Sequence, residues 1–530
     1  MSSVRDVVFE LLRQHGLTTI FGNPGSNELV FLQGMPSDFR YILGLHEGVV
    51  TGMADGYAMA TGRPVLLNLH AAAGSGNAMG ALTNARNSHS PLVITAGQQV
   101  RAQIGVEALL ANAGAAELPR PLAKWSAEPA TAEDTPRTIA EAIHTAATMP
   151  SGPVYVSIPY DDWMKPAPRA AAHLMAREVH SARTPSNAQL ALIAERIAAA
   201  EAPALVAGPD VDAADAGGRL VALAERIAAP VWIAPSASRC PFPTGHRLFQ
   251  GVLPASIRGV SERLAGHDLI VVVGAPVFRY HQFDPGELLP AGARLLQLTV
   301  DPAEAARAPM GTSIVAGIAE TLDGVLDLVP ASGRPAPPAR SRPAPVLTGP
   351  APLPPATVFD VVNAVKRADD VIVKESTSTT GIFWDHVDIV RQGGYYFPSA
   401  GGLGFGLPAA IGVQLADPAR RVIALIGDGS ANYALPALWT AVRYRVPVVV
   451  VVLRNGEYAA LRAFAREMTV ANAPGIELPG IDFCALARGY GMRAHSAGSA
   501  EELAELLRAG LAAEEPTLID VATTVVDPFG

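Results

Sequence analysis

Gly427-Asp428-Gly429 directly follows the apolar run Val422 to Ile426, and Asn455 comes just after the next such run, Val448 to Leu453. Both runs have the length of buried strands, and Leu435 to Tyr444 between them reads as a helix. A right-handed strand, helix, strand crossover makes the two strands parallel. It brings their carboxyl ends to one edge of a sheet, where open α/β folds bind ligands. Asp428 and Asn455 then face one point in space. A carboxylate and a carboxamide are hard oxygen donors suited to Mg²⁺ or Ca²⁺, whose remaining positions suit phosphate oxygens and water. Gly427 and Gly429 let the backbone turn sharply and come close to a phosphate. Taken alone, Gly-Asp-Gly reads as an ordinary turn; the strand ending in Asn455 reverses that.

Further reactive side chains gather near the N-terminus. Ser26 ends Gly22-Asn23-Pro24-Gly25-Ser26 after the strand Thr19 to Phe21, where a helix-capping serine is the commoner reading. Glu47 opens a run of small residues, and its plain reading is a carboxylate favoured by a helix N-terminus. His70 follows the strand Val65 to Leu69. The run Gly74 to Gly80 imitates a dinucleotide-binding loop but has one residue too many and no ribose-binding acid about 20 residues later. Isolated histidines such as His89 and His495 read as surface or core.

Three stretches alternate short apolar strands with helical patterns, the signature of mostly parallel sheets covered by helices. The first has Thr19–Phe21, Val65–Leu69, Leu92–Thr95 and Val154–Ser157. The second has Ala204–Ala207, Val231–Ala234, Leu269–Val273 and Arg294–Leu298. The third has Val371–Val373, Val422–Ile426, Val448–Leu453 and Thr517–Val521. The expected organisation is α/β in three domains, 1–180, 181–340 and 341–530, with a linker at Lys165 to Thr184 and a proline-rich tether at Ala331 to Ala356. Residues 4–12 carry a helical apolar pattern rather than a signal peptide.

Hydrophobic residues are 49% and charged residues 17%, which favours a large globular enzyme with subunit contacts. The net charge of −9, with no basic block, gives no case for nucleic acid or an acidic membrane as partner. Cys240 and Cys484 fit no metal or disulfide spacing, so reduced thiols and a cytoplasmic location are expected.

With the spacing from Gly427 to Asn455, the third domain resembles the cofactor motif of thiamine-diphosphate enzymes, which begins Gly-Asp-Gly and ends in two asparagines. Arg454 stands where the first of the pair is usual. Phe21 to Leu29, Asn84 to Gly97, Gly274 to His281, Glu375 to Thr379 and Ala400 to Phe405 resemble the benzoylformate decarboxylase family of thiamine-diphosphate-dependent 2-oxo acid decarboxylases. The resemblance runs through nearly the whole chain and is weakest at 331–356.

The resemblance implies domains for the pyrimidine, for an inert or modified central site, and for the diphosphate, in that order. It implies an active site between the first domain of one subunit and the third of its neighbour, hence at least a homodimer, with tetramers usual. The reaction it implies is non-oxidative decarboxylation of an aromatic 2-oxo acid, with benzoylformate (phenylglyoxylate) favoured, through a ylid and an enamine of thiamine diphosphate. Glu47 matches the carboxylate that hydrogen-bonds the aminopyrimidine. The Gly401 backbone accepts from its amine, and Leu403 wedges the cofactor into its bend. Thr377, Ser378, Gly429, Ser430 and Tyr458 match positions around the diphosphate. Asp428, Asn455 and the Glu457 carbonyl match the ligands of Mg²⁺ or Ca²⁺. Ser26 positions the substrate carboxylate, His70 moves a proton at the former carbonyl oxygen, and His281 protonates carbon and assists aldehyde release.

Leu109, Leu110, Phe397, Leu403, Ala460, Leu461 and Phe464 match an apolar pocket without a cation, suited to a phenyl ring. Such a pocket discriminates by only about 1 to 3 kcal/mol per methylene, which leaves other aromatic or branched 2-oxo acids as alternatives. An acetolactate-synthase-type carboligase is the competing activity, although Ala204 to Asp210 carries no specific flavin signal.

Overall fold

Among the described residues of the computed structural model, 2–181 and 183–528, eighteen strands form three six-stranded sheets. The first sheet holds β1 (Thr19–Gly22), β2 (Arg40–Leu43), β3 (Val65–Leu69), β4 (Leu92–Gln98), β5 (Trp125–Ala127) and β6 (Val154–Pro159). The second holds β7 (Pro203–Ala207), β8 (Val231–Ile233), β9 (Phe249–Val252), β10 (Leu269–Val273), β11 (Arg294–Thr299) and β12 (Thr312–Val315). The third holds β13 (Val371–Glu375), β14 (Tyr395–Tyr396), β15 (Val422–Gly427), β16 (Val449–Arg454), β17 (Arg493–Ala497) and β18 (Thr517–Ala522). Strands β3, β4, β6, β7, β10, β13, β15 and β16 are buried runs rich in Val, Ile, Leu and Ala, the pattern of a parallel sheet covered on both faces.

The order β2-β1-β3-β4-β6-β5 in the first sheet repeats as β14-β13-β15-β16-β18-β17 in the third, so the two share one topology. The central sheet, β9-β8-β7-β10-β11-β12, has the doubly wound order that reverses between its first and fourth strands. Each predicted set of four strands is present at the centre of its sheet. The two outer strands that complete each sheet, such as β2 and β14, escape the apolar-run signal. The predicted helix at Leu435–Tyr444 is shorter, Ala437–Arg443.

The helix Glu47–Thr61 packs on the helix Gly406–Ala416 of the third layer. Glycines make this contact backbone to backbone: a Cβ at Gly56 would lie 2.4 Å from the Ala409 carbonyl, and one at Gly412 2.0 Å from that of Met53. The first linker holds a 3₁₀ segment, Arg169–Ala176, and Ala182 lies outside the described residues. The tether has neither helix nor strand over 331–354 and is pinned by Arg340 to Asp385 at 2.6 Å and by Arg342 to Asp388. Cys240 and Cys484 are buried free thiols, and no described helix is long and apolar enough to cross a membrane.

Candidate functional site

β15 and β16 are in register from Ile423 opposite Val449 to Gly427 opposite Leu453, which brings Asp428 and Asn455 to the same sheet edge. Asp428 is 4% exposed, and its two oxygens accept from the Gly429 amide at 2.8 Å and the Gly456 amide at 2.7 Å. Burial pushes its carboxyl above the usual carboxylate range although these amides pull the other way. The Asn455 carboxamide oxygen accepts from the Glu457 amide at 3.0 Å. Bonds from Tyr458 to Ile476 and from Leu478 to Gly456 flank residue 457. Its own N–H and C=O therefore point away from that bridge, and the N–H meets Asn455. The Asp428 carboxylate and the Asn455 carboxamide thus share one sheet edge beside residue 457, oxygen donors of the kind that fit Mg²⁺ or Ca²⁺. In the Glu457 side chain Oε2 accepts from Arg462 Nε at 2.8 Å, and buried Oε1 has no partner.

Arg454 is explained by β18. Its guanidinium grips both oxygens of Asp520, with Nε at 2.9 and 3.1 Å and Nη2 at 2.9 Å. It therefore acts as a cross-strand clasp directly before Asn455.

A cavity of about 970 Å³ opens over this edge. Thr377, Ser378, Gly401, Leu403, Asp428, Gly429, Ser430, Asn455, Glu457 and Tyr458 line it, as do Phe397, Ala460, Leu461 and His281. A side chain added at Gly401, which sits at φ +73°, would meet nothing within 4 Å, so the chain leaves room there for a bound group. Phe464 stands edge-on to His281, with ring centroids 4.6 Å apart. Arg263 and Arg279 also line the cavity, so it is not free of cations as expected, although Arg279 donates to the Ser399 carbonyl at 2.8 Å.

The remaining predicted residues form a second cluster. Glu47, 7% exposed, opens the helix Glu47–Thr61 and accepts from Asn23 at 3.2 Å and Asn77 at 3.0 Å. His70 precedes the helix Ala71–Asn87, so the run Gly74 to Gly80 is helical and not a phosphate loop. Ser26 is exposed and starts a 3₁₀ turn without capping it; its hydroxyl donates to Asn27 at 3.3 Å. Asn27 donates to the Leu110 carbonyl at 3.3 Å, drawing the exposed Leu109 and Leu110 beside Ser26.

Glu28 is the residue that sequence reasoning missed. It is 2% exposed, faces His70 Nδ1 at 2.8 Å, and accepts from the amides of Gly25 at 2.8 Å, Gly97 at 2.9 Å and Ala71 at 3.4 Å. A carboxylate only accepts, so it fixes the His70 proton on Nδ1 and leaves Nε2 as the ring's acceptor. A Cβ at Gly25 would fall 2.1 Å from the His70 ring, and one at Gly97 2.1 Å from Glu28.

The two clusters do not meet within one chain. Asn84 bonds the Gly402 carbonyl at 2.9 Å, whereas His70 stands 14 residues earlier at the other end of the same helix, about 21 Å away at 1.5 Å per residue. Ser26, Glu47, His70, Leu109 and Leu110 are not among the residues lining the large cavity.

His89 is neither plain surface nor plain core. Its ring lies 3.4 Å from Asp210 and 3.6 Å from Asp301, joining the first layer to the second. Burial alone would lower its pKa, but the two carboxylates raise it to about 10. His89, Asp301 and Glu304 come close enough for an ion, yet the imidazolium and Arg279 already balance the acids.

Family models match three segments: the N-terminal TPP binding domain of thiamine pyrophosphate enzymes over residues 2–117, their central domain over 190–325, and their C-terminal TPP binding domain over 375–521. The chain is 60% identical over 528 residues to benzoylformate decarboxylase of Pseudomonas aeruginosa, covering 100% of both. It superposes with a TM-score of 0.97 on the thiamine diphosphate-dependent 4-hydroxybenzoylformate decarboxylase of Rhodococcus jostii RHA1, at 56% identity over 99% of this chain and 100% of that one. Benzoylformate decarboxylase of Polynucleobacter necessarius gives a TM-score of 0.97 at 38% identity over 99% of each chain.

Proposed function

Since the chain belongs to the benzoylformate decarboxylase family of thiamine-diphosphate enzymes, we propose phenylglyoxylate as its substrate and benzaldehyde and CO₂ as its products. The chain is a carboxy-lyase that decarboxylates an aromatic 2-oxo acid with thiamine diphosphate. The observation that carries the choice of substrate is the set of apolar residues Phe397, Leu403, Ala460 and Leu461 in the cavity that His281 also lines, which offers a phenyl ring apolar contact in the same space as a proton donor.

When bound, the cofactor supplies a nucleophilic carbon for the keto group and an electron sink for the pair released with CO₂. In this reading Asp428, Asn455 and the Glu457 carbonyl hold Mg²⁺ or Ca²⁺, and Thr377, Ser378, Gly429, Ser430 and Tyr458 surround the diphosphate. The Gly401 backbone and Leu403 face the pyrimidine side. Glu47, steadied by Asn23 and Asn77, holds a proton against the pyrimidine ring. Ser26 Oγ orients the substrate carboxylate. His70 Nε2 moves the proton at the former carbonyl oxygen, and His281 delivers one to carbon. Leu109 and Leu110 close the apolar pocket with Phe464.

The separation of the two clusters supports a second copy of the chain: the first domain of one subunit faces the third domain of its neighbour, so a dimer is the smallest active form and a tetramer pairs two of them. Domain limits near residues 180 and 340 fit the break between β6 and the helix at Asn187 and the tether over 331–354.

The test supplies protein stripped of cofactor with thiamine diphosphate and Mg²⁺ and follows CO₂ and aldehyde from a panel of 2-oxo acids. The highest kcat/KM is expected for phenylglyoxylate. A higher value for the 4-hydroxy compound or for an aliphatic acid would reject that substrate.

A further inference from the structure

Neighbouring residues of a strand point to opposite faces of the sheet. At the end of β13 these are Lys374 and Glu375, both 0% exposed. Glu375 Oε1 accepts from the amides of Gly404 at 2.7 Å and Phe405 at 3.2 Å, and Oε2 from that of Gly406 at 2.7 Å. These donors start the helix Gly406–Ala416 and directly follow Leu403. The approach is close: a Cβ at Gly406 would lie 2.8 Å from the Glu375 Cβ. On the other face, Lys374 Nζ donates to the Ser376 carbonyl at 2.6 Å and to Thr380 Oγ1 at 3.1 Å, and lies 5.5 Å from the Phe397 ring centroid. The turn it secures contains Thr377 and Ser378, braced by Ser376 and Thr379 at 2.6 Å.

One strand end thus anchors two walls of the cavity, the loop Gly401–Gly404 and the turn Ser376–Thr379. Polar side chains this deeply buried need such contacts, and here each set of contacts ends on a wall. We propose that Glu375 is a positioning residue that fixes the Gly401–Leu403 wall relative to the Thr377–Ser378 wall, and with it the bend of the bound cofactor, with Lys374 holding the opposite wall. The proposal rests on the reading of this cavity as the thiamine diphosphate site.

The test measures thiamine diphosphate binding by calorimetry and exchange of its C2 proton by quenched NMR, in wild type, Glu375→Gln and Glu375→Asp, well below each protein's Tm. The amide nitrogen of the Gln variant faces an N–H donor, so the dissociation constant should rise about 10- to 100-fold and C2 exchange should slow. Glu375→Asp keeps a carboxyl group at the helix start, so it carries the test where the amide variant does not fold; its shorter reach should slow C2 exchange more than it weakens binding. A lowered Tm with wild-type affinity and exchange would make Glu375 merely structural and overturn the proposal. Wild-type protein that fails to bind the cofactor would instead overturn the reading beneath it.

Discussion

Replacing Glu28 by Gln should disable His70 without dismantling the fold. The Glu28 carboxylate accepts at four points, so wherever the new amide nitrogen goes it meets a group that now donates. The imidazole is the one partner able to reverse its role. With the amide nitrogen on the Oε2 side, Nδ1 becomes an acceptor and the proton moves to Nε2, the inverted tautomer. The Gly25 amide is left without its acceptor, which costs about 1 to 3 kcal/mol of stability. That is a fraction of the roughly 5 to 15 kcal/mol that holds a domain folded. The chemical loss is larger: a positioned proton-transfer group contributes about 10²- to 10⁴-fold, or about 3 to 5 kcal/mol. The assay is kcat for phenylglyoxylate at saturating cofactor and Mg²⁺, with thermal unfolding and C2 exchange in parallel. Exchange should persist, since Glu47 is untouched. A folded Glu28→Gln enzyme with wild-type kcat would refute the tautomer argument.

Chelation and dialysis should strip the cofactor, with activity returning on adding Mg²⁺ and thiamine diphosphate; Asp428→Ala should not recover, and full activity in that variant would reject the metal assignment. His89 gives a pH dependence. Its folded pKa of about 10 lies above the unfolded value of about 6.5, so its contribution is complete below the lower value and is lost as pH rises through about 10. Wild-type Tm should therefore fall over that range more than the Tm of His89→Asn, and parallel curves would show that the pair does not stabilise the junction.

The sequence carried the parts of the fold that depend on burial on both faces. The centres of all three sheets are apolar runs, whereas β2 and β17 mix exposed and buried residues without a regular period and β14 spans only Tyr395–Tyr396, too short for periodicity to register. In the site, Asp428 and Asn455 were legible because a crossover places them together by topology alone. Glu28 was not, because its role depends on amides contributed by Gly97 and Ala71, and nothing in their spacing shows that they converge on it. Arg454 looked like a flaw in the motif until β18 supplied Asp520.

The central claim is that two clusters, on opposite ends of the helix Ala71–Asn87, meet around one cofactor only when two chains associate. The direct measurement mixes unfolded His70→Ala and Asp428→Ala chains, each inactive alone, and refolds them together at equal concentration. Half of the dimers are then mixed, and each mixed dimer has one site free of both substitutions, so decarboxylation should return to about a quarter of the wild-type rate. Activity no higher than that of either variant alone would contradict the account and place the site within a single chain.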